Sequence, residues 1–168
     1  MKILHYPHPL LLRRTQKVDE IGGNLADIAK KMLQAMRESN GVGLAANQVG
    51  LDIRMFVTNP TGEPADAIVM INPEIVERAG EQMGEEGCLS FPEIFGKIPR
   101  HHEVVVEYYD LAGKARAIQA TDLLARVCQH EIDHLDGIVF VSRMSSADRT
   151  IVSRRLKELE SAFARSER

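Results

Sequence analysis

The chain has 168 residues, of which 44% are hydrophobic and 27% charged, with a formal net charge of -3. That length suits one domain, 1–168, with a real core and is short for two. The acidic balance excludes a general attraction to DNA, and no apolar run reaches the roughly 18–20 residues that cross a bilayer.

The first residues, Met1-Lys2-Ile3-Leu4-His5-Tyr6-Pro7, lack the apolar core and cleavage site of a secretory signal. A cytoplasmic, bacterial-type protein is therefore expected ahead of an organelle form. The spacing then predicts a helix over 25–39. Leu25, Ile28, Met32 and Met36 recur at helical intervals, Asn24 is placed to cap the start, and Asn40-Gly41 supply the stop.

Strands follow at 54–58 and 67–71, short apolar runs bounded by Asn-Pro pairs. Two more, at 103–109 and 114–120, flank Asp110-Leu111-Ala112-Gly113, a good hairpin turn. A second helix is predicted over 122–136, between a Thr121 cap and Gly137. It is apolar on two sides, with Leu123 and Val127 on one and Leu124, Cys128, Ile132 and Leu135 on the other, so it is a buried helix. A third helix over 147–164 carries the narrow stripe Val152, Leu156, Leu159, Phe163, and Ser145 with Asp148 resembles a capping box. From Arg143 to the end, seven basic residues against four acidic ones give 7 − 4 = +3. Strands clustered between helices, without alternation, indicate α+β architecture with mostly antiparallel sheet, not a doubly wound fold.

The chemistry concentrates in His130-Glu131-Ile132-Asp133-His134. Residues four apart share a helix face, so both imidazoles can reach one metal, with Glu131 beside them to take a proton from activated water. Two exposed histidines on an amphipathic helix would be the bland alternative, but the apolar flanks on both sides oppose it. Buried, these groups need partners. A third ligand is required. Downstream stand Asp136, Glu158, Glu160 and Glu167; upstream stand His101, His102 and Cys88. Thiolate binds borderline and soft divalent metals strongly, and Gly84 and Gly87 let the backbone near Cys88 approach a ligand, which favours Cys88. His101-His102 reads as the surface start of a strand. Cys128, among Leu124, Val127 and Ile132, reads as a small buried hydrophobe, and free thiols are expected in place of a disulfide.

The Gly-rich stretch Gly41-Val42-Gly43-Leu44-Ala45-Ala46-Asn47-Gln48-Val49-Gly50 has no Lys-Ser/Thr and is not a phosphate loop. Its small residues allow close packing, and Gln48 offers an amide donor. Two other functions use parts of this pattern. A peptidase with the same two-histidine motif usually takes its third ligand downstream, where no His follows His134. A structural metal module wants four protein ligands, and only three convincing ones are present.

Three segments together resemble the signature motifs of peptide deformylase: Gly41-Val42-Gly43-Leu44-Ala45-Ala46-Asn47-Gln48, Glu86-Gly87-Cys88-Leu89-Ser90, and Gln129-His130-Glu131-Ile132-Asp133-His134. Their order and spacing also fit, and the likeness runs from the His8-Pro9-Leu10 region to about Val141. The resemblance implies removal of the formyl group from the N-terminal methionine of nascent chains. It implies antiparallel sheets around the motif helix. It implies one divalent metal on Cys88, His130 and His134, physiologically Fe2+ with Zn2+, Ni2+ or Co2+ as substitutes. Glu131 would match the catalytic glutamate, and Gln48 with the Leu89 N–H the donors to the oxyanion. Val42, Gly43, Gly87, Leu123 and Val127 would match the substrate-binding positions, with Arg126 beside them. The basic C-terminal helix, over 144–168 with its approach, would then contact the ribosome; solvated charges on a helix packed by its stripe are the plain alternative.

Overall fold

The computed structural model describes residues 1–166; Glu167 and Arg168, which count in the charge of the tail, lie outside the described residues. Among the described residues there are three α-helices, α1 (Leu25–Glu38), α2 (Asp122–Leu135) and α3 (Ser146–Ser166). Seven strands are β1 (Gly43–Ala45), β2 (Met55–Thr58), β3 (Ile68–Ala79), β4 (Gln82–Cys88), β5 (Phe91–Arg100), β6 (Glu103–Tyr109) and β7 (Ala115–Thr121). They form a five-stranded antiparallel sheet in the order β1-β2-β3-β6-β7 and a separate β4-β5 hairpin. The α+β expectation holds.

The five-stranded sheet sorts its residues by the two-residue period of a strand. Met55, Val57 and Ile71 face α1, where they pack with Leu25, Ala29, Met32 and Met36. Phe56, Met70, Val104, Val106 and Ala120 face the other way, onto Ala125, Cys128, Ile132 and Leu135 of α2. The opposite side of α2 looks toward the β4-β5 hairpin. That hairpin is backed by a third cluster, in which Phe91, Ile94 and Ile98 meet Val139, Phe140, Val141, Met144 and Leu159. The motif helix is thus enclosed on both sides, as its two apolar faces require.

Several local devices differ from the sequence expectation. Neither Asn24 nor Thr121 makes a side-chain cap bond. The start of α2 is fixed instead by the sheet: Glu103 pairs with Thr121, and the Asp122 N–H donates to the His102 carbonyl. Ser145 does cap α3, accepting from the Asp148 N–H at 3.1 Å. The strand expected over 67–71 runs on to Ala79 through a bulge at Asn72-Pro73. Asn72 adopts φ +51° there, and its carboxamide bonds both the N–H and the C=O of Val18. The bulge absorbs the proline that otherwise ends a strand. Strands β4 and β5 had no counterpart in the sequence reading. The hairpin turn after Asp110 forms as expected, with Gly113 at φ +75°.

Candidate active site

A cavity of about 910 Å³ opens between α2, the β4-β5 hairpin and the segment 41–48. Cys88 and His130 line it, and with the buried His134 they form a trio whose sulfur and ring nitrogens all lie within 4.8 Å of one another. The Cys88 Sγ is 3.1 Å from His134 Nε2, and the two imidazoles stand 4.9 Å apart at 69°. The helix puts His130 and His134 one turn apart on one face, and the end of β4 brings the thiol up to them.

Around this trio the hydrogen bonds are directional. The His130 Nδ1 lies 2.9 Å from Glu86 Oε2. A proton on Nδ1, shared with the carboxylate, leaves Nε2 turned to the cavity. Burial lowers the pKa of His130, but hydrogen bonds to Cys88 and Glu86 outweigh it and raise the value well above 6.5. His134 moves the other way: burial, then the positive His130 and Arg100, hold it well below that value. A metal takes each imidazole in its neutral form, so binding displaces any proton at the ligating nitrogen.

Glu131 turns into the same cavity. Its Oε2 is buried without a hydrogen-bond partner among the described residues. Burial pushes its carboxyl up to about 7. An oxygen so placed needs something brought from outside to bond with. Gln48 is oriented by its neighbours: its Oε1 accepts from the Ala45 N–H at 2.9 Å, so its amide N–H groups point at Ser90 Oγ, 3.1 Å away, and Cys88 Sγ, 3.5 Å away.

The donor set fits a borderline divalent cation: one soft sulfur and two imidazole nitrogens converge, with an unsatisfied carboxylate beside them. The other third-ligand candidates are used elsewhere. Asp136 pairs with Arg54 at 2.7 Å, Glu158 with Arg155 and Arg154 on α3, and Glu160 with Tyr6; Glu167 lies outside the described residues. His101 and His102 are exposed at the turn before β6. Cys128 is fully buried and both cysteines are free.

A sequence profile of the polypeptide deformylase family matches residues 1–150. The chain belongs to the polypeptide deformylase family. It is similar to the peptide deformylase of Thermodesulfovibrio yellowstonii, 41% identical over 94% of this chain and 96% of the relative. It also resembles the Arabidopsis thaliana peptide deformylase 1B, chloroplastic/mitochondrial, 36% identical over 97% of this chain and 61% of that one. The solved structure of Plasmodium falciparum peptide deformylase superposes with a TM-score of 0.95 at 36% identity, covering 99% of each chain.

The other residues expected at the deformylase site lie around the cavity. Val42 and Gly43 form one lip of the cavity, and Gly87, Leu89, Leu123 and Val127 line it as well. Val42 and Leu123 are exposed, 40% and 49%, as rim residues are; Val127 is buried. Arg126 contributes its stem, but its guanidinium turns away to Glu86 Oε1 at 2.8 Å and the Ile98 carbonyl at 3.0 Å. Gly84 makes room for it, since a Cβ there would stand 2.9 Å from its Nη2. Sequence reasoning missed Phe95, whose ring covers Gly87, and the wall made by Met1, Lys2, Ile3 and His5. It also gave Glu86 and Asp133 no role. Asp133 carried a signal, a charged residue inside a helix already marked for burial; Glu86, in a polar, Gly-rich stretch, carried none.

Proposed function

We propose that Cys88, His130 and His134 hold one divalent cation, physiologically Fe2+ with Zn2+, Ni2+ or Co2+ as substitutes, and that Glu131 moves the proton in the family's reaction. The protein is a metal-dependent hydrolase that removes the N-formyl group from newly made polypeptides. The observation that carries the site assignment is the convergence of three ligand atoms within 4.8 Å beside an unsatisfied, buried Glu131 oxygen.

A cation bound there supplies Lewis-acid polarisation and a water of lowered pKa. The protein's own groups do the rest. Glu131 accepts a proton from the attacking water and returns it to the leaving amine, and formate departs. The Gln48 N–H and the backbone N–H of Leu89 are the donors assigned to the oxygen on which negative charge develops; a well-placed donor of this kind is worth about 3–4 kcal/mol. The free edges of β1 and β4 both border the cavity, so an extended formyl-Met peptide can lie between them with its first side chain toward Val42, Gly43, Gly87, Leu123 and Val127. Discrimination against an acetyl group falls to the close packing of Gly43 on Val127 and Glu131.

The test is formate release from a formyl-Met tripeptide by protein purified without oxygen and loaded with Fe2+ or Ni2+. Rapid release is expected, with none from the acetyl analogue. Glu131→Gln should keep the metal and lose most turnover; full turnover in its metal-bound fraction would remove Glu131 from its role.

A cytoplasmic setting fits the family's bacterial members, and no helix among the described residues is long and apolar enough to cross a membrane. We also assign α3 a contact with ribosomal RNA, supported by the exposed Arg154, Lys157 and Arg165 along a polar groove of that helix. Co-sedimentation with ribosomes that weakens as salt rises is expected. Salt-independent pelleting, or none, would leave those charges simply solvated.

A further inference from the structure

Glu86 is saturated. Its Oε1 accepts from Arg100 Nε at 2.8 Å and Arg126 Nη1 at 2.8 Å, and its Oε2 from Arg100 Nη2 at 3.0 Å and meets His130 Nδ1 at 2.9 Å. Arg100 is in turn held by Asp133: its Nη1 donates to Oδ2 at 2.5 Å. Asp133 is held by Arg143, whose Nε and Nη2 donate to the two carboxylate oxygens, each at 2.5 Å. Charges therefore alternate along one connected line, Arg143–Asp133–Arg100–Glu86–His130. Every member but the first is buried; the Arg143 side chain is 40% exposed. It opens into a second cavity of about 420 Å³ on the far side of α2, with Arg78, Glu81, His101 and Asp136.

We propose that Arg143 is a positioning residue for the metal centre, acting on His130 through Asp133, Arg100 and Glu86. The proposal rests on the metal reading given above. Each link fixes the plane of the next. A guanidinium that donates two parallel bonds sets a carboxylate's rotation as well as its position. Arg143 does this to Asp133, and Arg100 does it to Glu86. Glu86 then sets the ring angle of His130, as a carboxylate behind a ligating histidine does. Without Arg143 the buried Asp133 keeps Arg100 as its cation, so Arg100 is drawn toward Asp133 and away from Glu86. The inner dielectric is low, and a half-satisfied polar network there costs more than its single bonds suggest.

A second observation places Arg143 at the same target. It ends the short 3-10 helix Phe140–Arg143 that leads to α3. Phe140, at the start of that turn, stacks edge-on to Phe91 at 5.4 Å and lies 6.0 Å from the His130 ring. One turn therefore reaches His130 by packing at its first residue and by charge at its last. The geometry demands the fork of an arginine; a lysine supplies charge at a point and cannot hold both oxygens of Asp133 in a plane.

The experiment is cobalt binding to the full chain, read as a dissociation constant from chelator competition and as the thiolate-to-cobalt and ligand-field absorption bands. Arg143→Ala should bind about tenfold more weakly, the low end of the effect of losing a residue behind a ligand, and its ligand-field bands should shift. Arg143→Lys should fall between it and the wild type. Arg149→Ala removes the same charge from exposed α3 and should match the wild type. A wild-type constant and spectrum in Arg143→Ala would overturn the proposal, as would an equal loss in Arg149→Ala. Failure of the underlying metal reading would look different: wild-type protein would bind no cobalt, or Cys88→Ser would keep the thiolate band.

Discussion

Replacing Gly43 by alanine tests the active-site reading at its tightest contact. A Cβ on Gly43 would stand 2.7 Å from Val127 Cγ1 and 2.9 Å from Glu131 Cδ, and closer still to Glu131 Oε1. Ordinary contact begins near 3.4 Å, so the carboxylate must retreat by on the order of 1 Å or the strand must lift. Glu131 is 4% exposed and Val127 5%, so either moves only by leaving its packed position. Interiors packed at crystal density pass such strain on instead of absorbing it. A displacement of about 1 Å from productive geometry costs about 100-fold in rate, equivalent to about 2.7 kcal/mol in the barrier. The three ligand atoms belong to other side chains, so metal content should stay at one per chain. Formate release under saturating formyl-Met tripeptide, normalised to bound metal, reads the effect. A Gly43→Ala enzyme with kcat within about threefold of the parent would show that Glu131 need not stand where the structure holds it, and the proton-transfer assignment would fail with it.

Three other outcomes are expected. Cys88→Ser should weaken metal binding by more than the about 10–100-fold typical of losing a residue behind a ligand, and oxidation of Cys88 should inactivate the enzyme; unchanged metal content and oxidant resistance would point to another third ligand. Glu86→Gln leaves Arg100 and Arg126 buried against a neutral amide and should cost about 3–5 kcal/mol, measured by denaturant unfolding of the metal-free protein. Burial alone would raise the Glu86 carboxyl, but hydrogen bonds from Arg100 and His130 hold it far below its usual 4.5. A lowered folded-state pKa gives stability that is complete above the unfolded value and lost as pH falls toward the folded one. The metal-free parent should therefore lose stability below pH 4.5, more steeply than Glu86→Gln; parallel pH profiles for the two would rule out this carboxylate as the source.

What the sequence shows and what it hides follow from the range over which each signal acts. The helices were legible because their apolar residues recur within a few positions, and α2 ends one residue from its expected limit at Leu135. His130, Glu131 and His134 were legible for the same reason, since helical spacing alone brings them together. β4 was hidden because Gln82-Met83-Gly84-Glu85-Glu86-Gly87 carries no β-branched alternation. Gly84 and Gly87 are small there because Arg126 and Phe95 lie across them, a requirement that comes from other elements. Thr121 and Asn24 were read as caps, yet sheet pairing and backbone bonds do that work, so tertiary contact overrode a local preference. The polar network is the extreme case. Positions 86, 100, 126, 133 and 143 have no common period, and only the docking of the hairpin on α2 and the turn after it joins them. Residues whose partners lie tens of positions away cannot be paired from one sequence. For Asp133 burial can still be foreseen from the apolar residues around it in α2, and a buried carboxylate compels a search for its cation; Glu86, between Glu85 and Gly87, carries no such local sign.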